Sequence, residues 1–230
     1  MKLTPLATSF TLKDQVYDRL REAIIGMNIY DDGADLRLDE RSMAEQLQVS
    51  RTPLREALTR LEKDGFVEIR ARKGVYVVRK TLDEILDMIV AWAALESMAA
   101  RMAAELATTD DIRELRKHAL RHSESSSRAD LSEYSEANIQ FHQMILEMSG
   151  CRLLGRMADG LFMHMHAVRR RALEENDRAS RSIVDHMEII EALESRDADL
   201  AARLVREHTM RLHTHVRRAW MKFENKAAVG

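Results

Sequence analysis

Residues 50–80 read SRTPLREALTRLEKDGFVEIRARKGVYVVRK, and two periodicities share the stretch. In its first half Leu54, Leu58 and Leu61 recur at helical spacing, while Arg51, Arg55 and Thr59 fall four apart on a neighbouring polar face. Ser50 or Thr52 suits the N-cap, and Pro53 is tolerated in the first turn. Asp64 and Gly65 end the helix. FVEIRA and VYVVR then alternate around RKG, the pattern of a two-stranded hairpin.

Upstream, KDQVYDRLREAIIGM at 13–27 sets Val16, Leu20, Ala23, Ile24 and Met27 on one helical face. Asp39 occupies an N-cap position before ERSMAEQL, whose Met43 and Leu47 are expected to be buried. QVS breaks that helix just before Ser50. Residues 1–80 therefore read helix, helix, helix, hairpin, which is a winged helix-turn-helix.

Downstream of Thr81 the strand pattern disappears. Six helices are expected, over 82–107, 109–127, 130–149, 151–176, 179–195 and 197–222. The fold class is mainly α: an N-terminal winged helix-turn-helix at 1–80 and an all-α helical bundle at 81–230. Only two prolines and eight glycines interrupt the 230 residues, which suits long helices. Eleven of the 14 methionines lie in the second half. Methionine fills irregular core gaps and also suits an adaptable ligand pocket.

Charge is distributed unevenly. Residues 50–80 carry nine Arg or Lys against four Asp or Glu, although the whole chain has a formal net charge of −2. A local basic patch on a near-neutral chain points to a polyanion partner, and a solvated helix face is the other reading of the same charge. The single cysteine, Cys151, excludes an intrachain disulfide framework. No apolar run reaches the roughly 18 residues of a membrane span, so a cytoplasmic location is expected.

In a helix-turn-helix the second helix enters the major groove with its N-terminal residues toward the bases. Arg51 and Arg55 sit there, and arginine can donate two hydrogen bonds to guanine O6 and N7. Thr52 can bond a phosphate or base, and Arg41 on the preceding helix would face the DNA backbone. Arg72, Lys73 and Gly74 form the hairpin tip, where two cations and a bare backbone suit phosphate or minor-groove contact.

The segment LDERSMAEQLQVSRTPLREALTRLEKDGFVEIRARKGVYV resembles the DNA-binding signature of the GntR superfamily of bacterial transcription regulators. LESMAARMAA, NIQFHQMI, DHMEIIEAL and DADLAARLVREH resemble the helical ligand-binding FCD domain of its FadR subgroup. Together the similarities run from about residue 12 to 215. They imply that Arg41, Arg51, Thr52, Arg55 and Gly74 fall at DNA-contacting positions, and that a homodimer reads a pseudo-palindromic operator.

The resemblance also places His142, His186 and His208 at the family's metal-ligand positions. Three neutral imidazoles with an oxygen ligand suit Zn²⁺ or Ni²⁺. The fourth position, normally Asp, is Asn138 here, one helical turn before His142. The family's carboxylate-clamping Arg, four residues before Glu96, is replaced by Trp92, which reads as core packing ahead of ligand stacking. Trp92, Glu96 and Arg101 are thus the candidate effector contacts, and the resemblance implies a small organic acid as effector.

The first reading is a metabolite-responsive regulator of transcription. The alternative is a metal-dependent hydrolase built on His142, His186 and His208. Neither HExxH nor a nucleophile elbow occurs, and a hydrolase would leave the basic module unexplained, so no enzyme activity is expected.

Overall fold

A computed structural model of the chain describes residues 11–27, 29–30, 33–125, 131–172 and 176–227. The chain divides into two compact units between Arg79 and Lys80.

The first unit holds α1 (Leu12–Gly26), β1 (Arg37–Leu38), α2 (Glu40–Gln46), α3 (Arg51–Lys63), β2 (Val67–Arg70) and β3 (Gly74–Val77). Its core is the apolar face of α3 against α1 and the sheet. Leu54, Leu58 and Leu61 are essentially inaccessible to solvent, and burying one such side chain contributes about 1.5–3 kcal/mol. On α1, Val16, Leu20 and Ile24 are buried as the spacing predicts. Ala23 instead faces solvent, and Tyr17 takes its place in the core. Burial costs Tyr17 little because its hydroxyl donates to Asp64 Oδ2 at 2.6 Å. Arg60 also lies over its ring at 3.9 Å. Burial first, and then the Asp64 hydrogen bond and charge, push the phenol up to about 12.

Asp39 caps α2 as expected, accepting from the backbone of Arg41 and Ser42. Met43 and Leu47 are only half-buried, and Ala44 is the buried residue. α2 has only seven residues, so the face it turns toward α3 is short. The hairpin register pairs Val67 with Val77 and Arg70 with Gly74. A third strand joins it: β1 pairs antiparallel with β3, Arg37 opposite Tyr76 and Leu38 opposite Val75. The wing is therefore a three-stranded sheet, ordered β1-β3-β2, rather than a two-stranded hairpin. Gly65 has φ +76° where α3 turns into β2, and Gly74 has φ +109° where the tip enters β3. Both are conformations that glycine adopts without strain.

The second unit is all-α: α4 (Leu82–Leu106), α5 (Thr109–Ser125), α6 (Leu131–Met148), α7 (Arg152–Ala172), α8 (Asn176–Glu194) and α9 (Ala198–Ala227). These are the six helices expected, to within a few residues at each end; the break expected at 127–130 lies outside the described residues. Thr81 and Glu84 form a reciprocal capping box that starts α4. α4 is the central element. It packs most extensively along α9 and also against α6, α7 and α8.

Candidate functional site

In the first unit, α3 begins at Arg51, with Ser50 as N-cap. Its first turn therefore carries Arg51 and Thr52 outward and Arg55 follows one turn on, all three exposed. The preceding turn is tight. Gln48 has φ +53°, and the Val49 amide donates to Ala44 O at 3.0 Å, which closes α2. Arg41 is exposed on α2 and pairs with Glu45, its Nε donating to Oε1 at 3.0 Å. Arg55 Nε donates to Glu40 Oε2 at 2.9 Å, bridging α3 to α2. That hydrogen bond and the Glu40 charge raise the arginine's pKa. Among the described residues no ion pair involves Arg51, Arg72 or Lys73. Arg72 sits at the wing tip with φ +63°. A Cβ on Gly74 would lie 3.7 Å from Arg37 Nε, so β1 brings a further cation beside the tip. The α3 trio and the wing trio thus each present exposed positive charge, and Arg41 does so from the helix before.

In the second unit, α6, α8 and α9 bring His142, His186 and His208 together. The three are buried, and their ligand atoms lie within 4.8 Å of one another. Two are braced by carboxylates from other helices. His142 Nδ1–H donates to Glu96 Oε1 from α4, and Thr209 Oγ donates to Glu96 Oε2 at 3.1 Å. His208 Nδ1–H donates to Asp185 Oδ2 at 3.0 Å. Arg211 holds Asp185 in turn, with Nε and Nη2 at 3.0 and 2.9 Å. Burial pushes the Asp185 carboxyl up, but His208 and Arg211 outweigh it and hold it below the ordinary carboxylate value. His186 is oriented by stacking on Phe141, with ring centroids 3.8 Å apart.

This donor set fits a divalent cation. A histidine whose Nδ1–H is given to a carboxylate carries its lone pair on Nε2, and such bracing fixes the tautomer and raises ligand basicity. Asn138 is buried on the same face of α6, and its Oδ1 accepts from Ser182 Oγ at 3.2 Å. Trp92 packs edge-on against both His142 and Phe162, with centroids 5.1 Å apart in each case. Trp92 and Glu96 therefore belong to the histidine cluster. Arg101 does not: it stands on the outward side of α4 and pairs with Asp199. Asp185, Thr209, Arg211 and Ser182 were not singled out from sequence. The available signal was adjacency, since Asp185 precedes His186 and Thr209 follows His208.

Residues 87–211 match the FCD domain family, and residues 12–77 match the family described as bacterial regulatory proteins, gntR family. The chain is an FCD-domain member of the GntR family. Among its relatives is the HTH-type transcriptional repressor RspR of Escherichia coli K12, 25% identical over 214 residues, covering 93% of this chain and 92% of that protein. The Nta operon transcriptional regulator of Aminobacter aminovorans is 36% identical over 113 residues, covering 49% and 53%. The solved structure of E. coli McbR/YncC shares the fold at a TM-score of 0.75 and 23% identity, covering 91% of this chain and 99% of that one. As a GntR-family protein with an FCD domain, the chain is a transcription regulator whose winged module binds DNA. The hydrolase reading draws no support from these relatives. Among the described residues no helix is long and apolar enough to cross a membrane.

Proposed function

We propose that this regulator binds a pseudo-palindromic operator as a homodimer and responds to a small organic acid taken up at the histidine cluster together with a divalent ion, Zn²⁺ or Ni²⁺. The observation that carries the reading is the pairing of two sites in one chain. An exposed arginine-led helix start in the first unit accompanies a buried, carboxylate-braced histidine trio in the second.

In this reading Arg51 and Arg55 read base edges, Thr52 and Arg41 hold phosphates, and Arg72, Lys73 and Gly74 bring the wing to the backbone or minor groove. His142, His186 and His208 hold the ion, and Asn138 offers a neutral amide oxygen where the family resemblance implies a carboxylate. When bound, the ion supplies positive charge that attracts the carboxylate of an organic acid. Trp92 closes one wall of the cluster and excludes water there. Glu96 and Asp185 keep His142 and His208 in the tautomer that presents Nε2.

Ligand occupancy alters DNA binding only through unequal affinity for two arrangements of the protein. The test is selection of duplexes from a random pool by the full chain, followed by titration of the recovered sequence. Recovery of an inverted repeat with half-sites about one helical turn apart, or a multiple of it, supports the reading. Recovery of no common sequence overturns it.

A further inference from the structure

We propose that Arg37, on β1, is a DNA-contacting residue of the wing: its guanidinium lies along the sheet toward the tip and binds a DNA phosphate there beside Arg72 and Lys73. The proposal rests on the wing contact proposed above and adds to it a residue from a strand outside the hairpin.

The register decides which residues share the solvent face of the sheet. Val75 and Val77 are buried, so the alternate positions of β3, Gly74 and Tyr76, face outward. Arg37 and Glu68 stand opposite Tyr76, and Arg70 stands opposite Gly74. Residues directly opposite each other lie on one face. That face therefore carries two arginines, one from each strand beside β3. Tyr76 itself reaches toward the tip, its hydroxyl donating to Lys73 O at 3.1 Å.

The two arginines are held differently. Arg70 donates to Glu68 Oε2 through Nε at 2.9 Å and Nη2 at 2.8 Å. Its guanidinium also lies 4.5 Å from the centre of the Tyr76 ring. The charge of Arg70 is thus met within the wing. Among the described residues no ion pair involves Arg37. Its backbone N–H donates to Asp35 Oδ1 at 3.0 Å, which anchors the start of β1. Its side chain runs toward the tip. The Nε lies 3.7 Å from where a Cβ on Gly74 would stand, two residues or about 7 Å along β3 from Tyr76, the residue that Arg37 opposes. An exposed charge on an edge strand also discourages pairing with a second sheet. That role needs a charge held out from the edge, whereas Arg37 is laid toward the tip.

Gly74 leaves the space that this side chain uses, since a longer residue there would compete for it. Arg37, Arg72 and Lys73 are all exposed. They gather around one turn, which the Lys73 N–H closes by donating to Arg70 O at 3.0 Å. Like charges so placed repel one another, and a phosphate among them removes that repulsion as it binds.

The test is the salt dependence of binding to a random-sequence duplex, which needs no knowledge of the operator. Each lost phosphate contact lowers the slope of log affinity against log salt by about 0.9. Arg37→Gln and Lys73→Ala are each expected to show that drop. Their affinity deficit against the natural protein then shrinks about three- to fourfold between about 50 and 200 mM salt. Arg37→Lys and Arg70→Gln are expected to keep the natural slope, and all four variants the natural circular dichroism. A lowered slope for Lys73→Ala beside an unchanged one for Arg37→Gln overturns the Arg37 contact and leaves the wing contact standing. Unchanged slopes for both overturn the two together. An equal drop for Arg70→Gln would report net charge alone and also overturns the assignment to Arg37.

Discussion

Arg55 on α3 is tied to Glu40 at the start of α2, its Nε donating to Oε2 at 2.9 Å. The bridge links the two helices of the DNA-binding motif through a side chain that would read bases. It holds the guanidinium in place before DNA arrives, and it also sets a carboxylate close to incoming phosphates. Glu40→Gln is therefore expected to bind random DNA more tightly while discriminating less well between operator and random sequence. Anisotropy titrations of both duplexes at one salt concentration check this. Unchanged discrimination would show that Glu40 does not position Arg55.

In the proposed binding mode Arg51 reads a base and Lys73 holds the backbone. Arg51→Ala is expected to lose about ten- to a hundredfold in discrimination at one base pair of each half-site. Lys73→Ala is expected to weaken all duplexes alike and to lower the slope of log affinity against log salt by about one. Mobility-shift titrations at several salt concentrations distinguish the two patterns.

Arg72 occupies the wing tip with φ +63°, a conformation that costs a non-glycine residue about 1 kcal/mol. Arg72→Gly is expected to raise stability by about that amount while weakening DNA binding through the lost cation. Urea unfolding followed by circular dichroism, set beside a DNA titration, shows both effects. A variant that is less stable would mean that the side chain packs in a way that outweighs the backbone relief.

Glu96 and Asn138 bear on the histidine cluster in opposite directions. Glu96→Gln leaves the fourth turn of α4 intact but removes the carboxylate that orients His142, and zinc or nickel affinity is expected to fall about 10–100-fold. Asn138→Asp returns a carboxylate to the cluster and is expected to tighten binding. Competition against a chromophoric chelator measures both. Affinities that ignore both substitutions would place the ion elsewhere or nowhere.

The sequence made some features legible and hid others, for physical reasons. The helix starts and stops were marked by residues with one local job: Asp39 and Thr81 cap, and Gly65 turns. The wing was visible in the alternation of VEIR and GVYV. β1 was not, because two residues carry no period and its partner is nearly forty residues away. Tyr17 was missed because its burial depends on Asp64, 47 residues downstream. His142, His186 and His208 stood out by resemblance and never by spacing, since they lie on three helices. That Glu96 braces His142 and Asp185 braces His208 became identifiable only when α4 and α8 were seen beside α6 and α9.

The proposed function turns on the link between the histidine cluster of the second unit and DNA binding by the first. Its most direct measurement is operator affinity, by fluorescence anisotropy at fixed salt, for protein that is chelated, zinc- or nickel-loaded, and loaded in the presence of a panel of small organic acids. At least one loaded state is expected to shift the operator Kd about fivefold or more, and His142→Ala with His208→Ala to remove the shift. An operator affinity indifferent to metal and to every acid, while the metal is shown to be bound at the cluster, would contradict it.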